Sequence, residues 1–156
     1  MTELLAHFDR LRAAQQKHIP DLRERLYSMK RLAEAIQHYK EEIVCAISAD
    51  FGRRSRIETM AADIMVTLEE IKHAQKHLRG WMKPERRSIS LTFKPARGEI
   101  RFMPLGVVGI VAPWNYPFQL AIIPLVNAIA AGNRVMIKPS EFTPRTSELL
   151  QKMLGE

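Results

Sequence analysis

The sequence predicts an α/β fold: amino-terminal helices and a β-hairpin, then the first β-α-β-α of a doubly wound, Rossmann-like parallel sheet that is incomplete at its carboxyl end. In the first half of the chain, apolar side chains recur every three or four residues, the period of amphipathic helices. Around residues 89–102 they alternate with polar side chains, as in a strand with one wet face. Two short apolar runs and a longer apolar segment between them follow, in the order of a parallel sheet. We therefore predict a helical region (1–82), a hairpin (83–103) and the truncated start of a sheet domain (104–156).

Helix boundaries in the first region follow from its prolines, glycines and capping residues. The first helix is expected to end near His18, and Pro20 fits the first turn of a second helix, where its missing N–H costs nothing. Gly52 suits the left-handed residue that closes a helical run. Residues 55–58 have the spacing of a capping box and open a long amphipathic helix that extends to about Leu78. The buried stripe predicted for that helix consists of Ile57, Met60, Ala61, Ile64, Met65, Leu68 and Ile71.

A β-hairpin is predicted after the helices, where the period of the apolar residues falls to two. Ile89, Leu91 and Phe93 alternate with polar residues, and a second strand at 99–102 follows the turn-forming segment 95–98. The basic, polar alternate face suits a strand with one wet side, or an edge that another subunit covers. The hairpin is therefore expected to be an oligomerisation-type element.

Two strands buried on both faces are predicted at 106–112 and 134–138, because each is a short, largely apolar run. The loop 113–117 leads from the first strand into an apolar helical segment, 118–131. A last helix is expected to start at Thr143–Pro144, with the threonine as its cap and the proline at its first position.

Pro124 and the carboxyl end of the chain complicate this pattern. A proline inside a helix costs about 3 kcal/mol, so the segment 118–131 is expected either to begin as a helix later or to be kinked. Two strands leave the edges of a parallel sheet uncovered, and the sequence stops at Glu156. We therefore expect the chain to be cut within a domain.

Composition indicates an ordinary globular, cytoplasmic protein. The 156 residues are 46% hydrophobic and 26% charged, which is enough to bury a core. No apolar run approaches the roughly 20 residues that span a bilayer, and residues 1–12 lack the apolar stretch of a secretory signal, so no membrane contact is expected. The single cysteine, Cys45, agrees with a reducing compartment. Its apolar neighbours on a predicted helix indicate a buried structural thiol.

The basic charge and the histidines are interpreted as surface features. A net charge of +7 raises the question of nucleic-acid binding, because clustered Lys and Arg neutralise phosphates. The densest basic run follows no nucleic-acid motif, and we expect no such partner. His73 and His77 are four residues apart, close enough to share a metal, but no third ligand stands beside them, so no metal site is predicted. The basic run consists of Lys83, Arg86, Arg87, Lys94, Arg97 and Arg101.

Polar side chains follow the two predicted strands, at the sheet edge where open α/β folds bind ligands. Asn115 could stabilise an oxyanion through its amide, and Trp114 could present its indole to a cofactor. Equally, Asn115 could form an Asx-turn and Trp114 could plug a core. Lys138 and Glu141 could grip the two hydroxyls of a ribose, or Glu141 could stabilise the next helix while Lys138 is solvated. From the residues alone, these alternatives stay open.

Common phosphate-binding motifs are absent from the sequence. Gly106 and Gly109 give only Gly-x-x-Gly, without the third glycine of a dinucleotide-binding loop. No Gly-x-x-x-x-Gly-Lys sequence is present either. An ordinary Rossmann phosphate loop is therefore not predicted.

Four sequence blocks occur in order along the last third of the chain. They are Pro104-Leu105-Gly106-Val107-Val108-Gly109, Pro113-Trp114-Asn115-Tyr116-Pro117, Ala130-Ala131-Gly132-Asn133, and Lys138-Pro139-Ser140-Glu141 followed by Thr143-Pro144. Together they closely resemble the aldehyde dehydrogenase superfamily, and with the preceding helices and hairpin the resemblance covers essentially the whole chain. Three further features, Ala49-Asp50-Phe51-Gly52, the segment 81–87 and Pro124, are most similar to the coniferyl aldehyde dehydrogenases, in the branch that includes the class three enzymes.

The resemblance implies a role for each candidate residue. Asn115 would be the side-chain donor to the thiohemiacetal oxyanion. Lys138 and Glu141 would hold the adenosine ribose, and the family does this without the usual glycine fingerprint. Trp114 and the backbone of Ala112 would border the cofactor. Because Glu141 should repel a 2′-phosphate, the implied cofactor is NAD, although relatives in this branch also accept NADP.

The implied function is that of a parent enzyme. It would oxidise an aldehyde, coniferyl or a similar aromatic one, to a carboxylic acid with NAD(P), as a homodimer or higher homo-oligomer. Segment 104–156 would begin its NAD(P)-binding domain. The family's catalytic cysteine and general-base glutamate belong to later parts, so the 156-residue chain alone is expected to be inactive. The alternatives are a non-catalytic helical and hairpin assembly module, or a basic nucleic-acid-binding domain.

Overall fold

The computed structural model describes residues 2–155 and confirms the predicted α/β class, with amino-terminal helices, a hairpin and a β-α-β-α unit. The helices are α1 (Thr2–Lys17), α2 (Leu22–His38), α3 (Lys40–Phe51), α4 (Arg56–Glu58), a π-helical segment (Thr59–Met65), α5 (Val66–Trp81), α6 (Gln119–Ala130) and α7 (Pro144–Gly155). The strands are β1 (Glu85–Arg87), β2 (Gly98–Ile100), β3 (Val107–Val111) and β4 (Arg134–Lys138). We call α2, α3 and the run from α4 to α5 the helical layer. One cluster of buried apolar side chains joins this layer to β3, α6 and α7.

The start of α2 is stabilised by a capping box that lies beyond the predicted helix start. The Glu24 N–H donates to Asp21 Oδ1 at 2.8 Å, and the Asp21 N–H donates to Glu24 Oε2 at 2.7 Å. Pro20 therefore lies outside the helix, and its expected place in the first turn is wrong, because Asp21 satisfies the exposed backbone donor instead. The first helix ends one residue before His18, as predicted, and Gly52, at φ 79°, ends α3 as predicted.

Ser55 precedes α4 but does not cap it. Its side chain makes no capping hydrogen bond, so the predicted capping box is wrong. Glu58, which would have completed that box, instead pairs with Arg54, with 3.0 Å between Oε1 and Nη2.

The π-helical segment changes which face of the following helix is buried. Ile57 is 80% exposed, and Ala61 and Met65 are also exposed, so part of the predicted stripe is wrong. A π turn inserts one extra residue into the helix and so shifts the positions that face the core. The buried positions from here to the end of α5 are Thr59, Asp63, Ile64, Thr67, Ile71, Ala74 and Leu78. Three of these seven are polar.

The hairpin pairs strands that are shorter than predicted and displaced from the predicted positions. β1 and β2 are antiparallel, with Glu85 opposite Ile100 and Arg87 opposite Gly98. The predicted strand through Ile89, Leu91 and Phe93 is wrong, because Leu91–Phe93 form a 3-10 turn. The alternation of apolar residues there faces solvent rather than a core, so nothing enforces an extended backbone.

β3 and β4 form the predicted parallel pair, in register from Val107 opposite Arg134 to Val111 opposite Lys138. The expectation that both strands are buried on both faces is wrong. Val111 is 77% exposed, and no residue of β4 is fully buried. Helices α1 and α6 contact both strands, and they leave part of the sheet surface open to solvent.

Helix α6 begins at Gln119 and continues through Pro124. The helix starts one residue later than the predicted segment, which still leaves Pro124 inside it. Arg25 and Gln15 bind the other end of this helix: Arg25 Nη1 donates to the Ala130 carbonyl and Gln15 Nε2 to the Gly132 carbonyl, each at 2.9 Å. A buried cation at a helix carboxyl end complements the helix dipole. Among residues 2–155, no helix combines the length and apolar character that crossing a membrane requires.

Candidate functional site

The ends of the two parallel strands bring Ala112 and Lys138 together. The Ala112 N–H donates to the Lys138 carbonyl at 3.0 Å, just beyond the last paired residues of the sheet. The loop that contains Trp114 and Asn115 and the turn that contains Glu141 therefore leave the sheet at the same edge. This edge is where open α/β sheets bind ligands.

Lys138 and Glu141 form an exposed ion pair at this edge. Lys138 Nζ lies 2.5 Å from Glu141 Oε2, and both side chains are well exposed. The hydrogen bond from the ammonium lowers the pKa of the Glu141 carboxyl below its usual value. At neutral pH the pair offers a charged acceptor and a charged donor to a ligand.

The loop after β3 exposes both of its candidate side chains. Trp114 is 53% exposed, so it does not plug the core, and its ring lies tilted against Phe51 with 6.3 Å between the centroids. The Asn115 side chain is also exposed. Its backbone carbonyl, in contrast, accepts a hydrogen bond of 2.7 Å from Arg54 Nη1. The side-chain amide of Asn115 is therefore open to solvent, while Arg54 holds the Asn115 backbone by a hydrogen bond.

Carboxylates from the helical layer occupy the amino ends of both helices that follow the strands. Asp63 Oδ1 accepts from the first N–H of α6, that of Gln119, at 3.0 Å. Asp50 accepts from the Arg145 and Thr146 N–H groups of α7 at 3.0 and 2.8 Å. Thr143, the predicted cap, instead donates its hydroxyl to the Ser140 carbonyl, so Asp50 takes the capping role.

This capping makes the amino ends of α6 and α7 poor sites for a phosphate group. A helix amino end attracts phosphate because its N–H groups are unpaired. Here each of these two ends already holds a negatively charged carboxylate, which would repel a second anion.

Arg54 and Asp63 form a buried polar cluster that the sequence analysis missed. The Arg54 side chain is 6% exposed and that of Asp63 is fully buried, with 3.8 Å between Nη2 and Oδ2. Burial raises the pKa of the Asp63 carboxyl, although the Gln119 N–H and Arg54 oppose this shift. One sequence signal could have found Asp63. It lies four residues from both Thr59 and Thr67, which makes a polar row at helical spacing inside an apolar region.

The remaining candidates lie on the surface. Cys45 is exposed, so its prediction as a buried thiol is wrong; α3 buries Ile43, Val44 and Ile47 on its other side. His73 and His77 have ring centroids 4.3 Å apart. Within the described residues, no group of three or more His, Cys, Asp or Glu side chains is arranged to hold a metal ion.

Comparison with known proteins identifies similarity over nearly the entire chain. Residues 9–156 match the aldehyde dehydrogenase family. The chain is 45% identical over 156 residues to a protein of Pseudomonas aeruginosa named "Probable coniferyl aldehyde dehydrogenase", covering 99% of this chain and 33% of that protein. It is 41% identical over 154 residues to the coniferyl aldehyde dehydrogenase of Pseudomonas sp. strain HR199, covering 98% of this chain and 32% of that protein.

A solved structure gives the same result for the fold. The substrate-bound state of AldH from Staphylococcus aureus superimposes with a TM-score of 0.91 at 34% identity, covering 99% of this chain and 33% of that one. The chain thus spans about a third of the length of the relatives it matches.

Proposed function

The chain belongs to the aldehyde dehydrogenase family, and on that premise we propose that an intact protein carrying it oxidises an aldehyde to a carboxylic acid with NAD(P). The family acts on aldehydes and generally uses NAD(P). One observation carries the proposal for this chain. The exposed amide of Asn115 and the exposed Lys138–Glu141 pair stand on two segments that leave the same sheet edge.

Asn115 is assigned the stabilisation of the oxyanion. When a thiolate adds to the aldehyde carbonyl, a C–S bond forms and the π electrons of the carbonyl move onto its oxygen. The Asn115 amide N–H donates a hydrogen bond to that oxygen, where charge develops. Cys45 is not assigned as the nucleophile, because it lies in a different surface depression with Glu42 and Arg145. The 156 residues alone are therefore proposed to be inactive.

The Lys138–Glu141 pair is assigned to the adenosine ribose. A carboxylate can accept hydrogen bonds from both hydroxyls of a ribose, and an ammonium can donate to them. Trp114 and the backbone of Ala112 are assigned to the border of the same site. The Glu141 charge disfavours a 2′-phosphate, so NAD is proposed over NADP. When bound, the nicotinamide accepts the hydride that the oxidation releases.

Aromatic aldehydes of the coniferyl type are proposed as substrates. The support is the two Pseudomonas relatives above, which are named for coniferyl aldehyde. The test compares initial rates with coniferyl aldehyde and with a saturated aliphatic aldehyde of similar length. A clear preference for the aliphatic aldehyde would contradict this part of the proposal and leave aldehyde oxidation intact.

The assigned role of Asn115 can be tested in a chimera. This chain replaces the matching amino-terminal segment of the coniferyl aldehyde dehydrogenase of Pseudomonas sp. strain HR199. NADH formation by this chimera is followed by the absorbance of reduced nicotinamide at about 340 nm. Asn115→Ala is expected to lower kcat by about 10²- to 10³-fold, the typical loss for one oxyanion donor. This chain by itself is expected to form no NADH.

The matched control is Asn127→Ala, which removes an exposed amide from α6. This variant is expected to leave kcat unchanged. An unchanged kcat for Asn115→Ala would refute the oxyanion role, and turnover by this chain alone would refute its proposed inactivity.

The cofactor assignment has a separate test. In the same chimera, Glu141→Gln keeps the size of the side chain but removes its charge. It is expected to raise KM for NAD and to lower the ratio of kcat/KM for NAD to that for NADP. A ratio that does not change would remove Glu141 from the site that distinguishes the two cofactors.

We further propose that the hairpin mediates self-association, since family members are typically oligomeric. Several of its large apolar side chains, and those just after it, are exposed: Leu91, Phe93, Phe102, Met103 and Leu105. Phe93→Ser is expected to weaken this association, so that the mass of the assembly measured by light scattering falls toward that of the monomer. Tyr27→Ser, which changes an exposed aromatic residue on α2, is the control. An unchanged mass for the hairpin variant would exclude Phe93 from the interface.

A further inference from the structure

Arg54 is a nearly buried guanidinium that contacts the loop of Asn115 from the protein side. Its Nη1 donates to the Asn115 carbonyl at 2.7 Å. Its Cζ lies 4.5 Å from the centroid of the Tyr116 ring and 4.8 Å from that of Phe51. A planar cation can donate a hydrogen bond in its plane and pack its faces on aromatic rings. Arg54 thus holds the backbone of Asn115 and the ring of the next residue at once.

Asp63 holds the other end of the same short segment. Its Oδ1 accepts from the Gln119 N–H at 3.0 Å, and its Oδ2 lies 3.8 Å from Arg54 Nη2. The segment 115–119 is therefore held at both ends by one charge pair, Arg54 from the loop between α3 and α4 and Asp63 from the π-helical segment. Any rotation of the Asn115 peptide must break the Arg54 hydrogen bond or displace the Tyr116 ring.

The composition of this cluster argues against a role in stability alone. Arg54 Nε, Asp63 Oδ2 and Thr59 Oγ1 are buried without a hydrogen-bond partner among the described residues, whereas more than nine in ten buried polar groups are paired in native proteins, by rough count. Apolar side chains of similar volume often stabilise a protein as well as a buried ion pair does. Asp63 and Thr59 also lie on the π-helical segment, a distortion that is frequent at functional sites.

We propose that Arg54 is a positioning residue for aldehyde oxidation: by holding the Asn115 carbonyl, it fixes the direction of the Asn115 side-chain amide. The inference rests on the proposed function, in which that amide donates to the oxyanion. Arg54 itself does not touch the substrate in this scheme. Its contribution is the placement of the donor, and a displacement of about 1 Å in an active site can reduce the rate by about 10²-fold.

A double-mutant cycle tests the inference in the chimera described above. Arg54→Met is expected to lower kcat by about 10- to 10²-fold. KM for NAD is expected to change much less, because Lys138 and Glu141, which are assigned to the ribose, are on another segment. In the Asn115→Ala background, the same substitution is expected to cause no further loss of kcat. Additive losses in the double variant would show that Arg54 does not act through Asn115, and would overturn the inference.

The matched control is Arg53→Met. Arg53 is the exposed neighbour of Arg54 and lines the same surface cleft, so this variant removes the same charge from nearly the same place. It is expected to leave kcat unchanged. A loss equal to that of Arg54→Met would assign the effect to the charge of the cleft and overturn the inference.

A second variant covers the case in which Arg54→Met fails to fold because Asp63 is left charged and buried. Arg54→Met with Asp63→Asn removes both charges and keeps an oxygen that can accept from Gln119. In the 156-residue chain, ¹⁵N relaxation of the Asn115 side-chain amide is expected to show greater mobility than in the unmodified chain. An amide that stays equally ordered would overturn the inference without reference to activity.

The outcomes separate the two proposals. If Asn115→Ala leaves kcat unchanged, the proposed function of Asn115 is wrong and the inference falls with it. If Asn115→Ala lowers kcat but Arg54→Met does not, the proposed function stands and only the role of Arg54 is refuted.

Discussion

The helical layer and the hairpin belong to one chain, but different interactions hold their shapes. In the helical layer, the large apolar side chains at core positions, such as Ile36 and Ile71, are almost completely buried. In the hairpin, Leu91 and Phe93 are 79% and 69% exposed. Burial of a leucine-sized side chain stabilises a protein by about 1.5–3 kcal/mol. The helical layer therefore contributes to the core that it shares with β3, α6 and α7, whereas the hairpin leaves these two apolar side chains exposed.

Their polar groups differ in the same way. The hairpin has exposed pairs between Arg87 and Glu85 and between Arg101 and Glu99, a type that contributes about 0–1 kcal/mol. The helical layer has buried polar groups that connect it to the β-α-β-α unit over long sequence distances. Exposed pairs tolerate loss, whereas buried polar groups specify one arrangement of the chain. Asp63, one of these buried groups, accepts from the Gln119 N–H just after the loop that contains Asn115.

The largest predicted effect compares the same residue type in the two regions. Leu78 in α5 is 1% exposed and Leu91 in the hairpin is 79% exposed. Leu78→Ala is expected to lower the free energy of unfolding by about 2–5 kcal/mol, because it removes buried methyl groups and leaves a cavity. Leu91→Ala is expected to change it by about 0.5 kcal/mol or less. Urea unfolding of the 156-residue chain measures both, and equal losses would contradict the contrast drawn between the regions.

A second comparison uses two glycines. Gly132 has φ +81°, and a Cβ there would collide with the Arg25 guanidinium. Gly132→Ala is therefore expected to lower the free energy of unfolding by at least about 1–3 kcal/mol, the cost of a strained backbone alone. Gly98 has no such φ, but its Cβ would lie 2.7 Å from Ile89 Cγ2 and 3.3 Å from the Arg87 carbonyl oxygen, so the hairpin must shift to accept it. Gly98→Ala is expected to cost less than Gly132→Ala, because the hairpin can shift near its exposed surface and no backbone strain is added. A larger loss at Gly98 than at Gly132 would show that the hairpin is the more tightly packed region.

Sequence periodicity predicted those elements whose structure depends on their own residues. The end of α1, the cap at Gly52 and the strand Arg134–Lys138 follow from local patterns. The π-helical segment could not be predicted in this way, because Asp63 is held there by a residue 56 positions away. In the hairpin, alternation predicted a strand through Phe93 that does not form, since alternation implies a strand only where one face is buried.

The candidate site shows the same division. The positions of Asn115 and Lys138 after two parallel strands could be predicted, since strand ends are local and parallel order fixes their edge. The partner of the Asn115 backbone, Arg54, could not, because it is 61 positions away in a segment with no motif. The burial of Arg25 in α2 was missed for the same reason, since its acceptor lies 105 positions away.

A third prediction tests whether a side-chain cap, like burial, determines how much a residue beside a helix contributes to stability. Asp21 caps α2 through its side chain, whereas Ser55 precedes α4 without a capping hydrogen bond. Asp21→Ala is expected to lower the free energy of unfolding by about 1 kcal/mol, the usual cost of a lost cap. Ser55→Ala is the matched control and should leave it unchanged. Thermal unfolding of the two variants at equal chain concentration measures this difference. If Ser55→Ala destabilises the protein as much as Asp21→Ala does, the cap geometry is not what stabilises α2.

The smallest predicted effect is a pH dependence, and it contrasts a buried carboxyl with an exposed one. Burial raises the pKa of Asp63 above its usual value of 3.8, so the folded state binds a proton more readily than the unfolded state. As the pH rises from below 3.8 to above the raised pKa of the folded state, the native protein is expected to lose stability relative to Asp63→Asn. For Glu141, Lys138 lowers the pKa below its usual 4.5, and the sign is reversed: the native protein loses stability relative to Glu141→Gln as the pH falls. The measurement is the free energy of unfolding of the native protein minus that of each variant, from acid to neutral pH. This difference should fall with rising pH for Asp63→Asn and rise with pH for Glu141→Gln. If both differences change in the same direction, burial is not the dominant influence on the pKa of Asp63. Arg54 would then compensate the Asp63 charge better than their separation of 3.8 Å suggests.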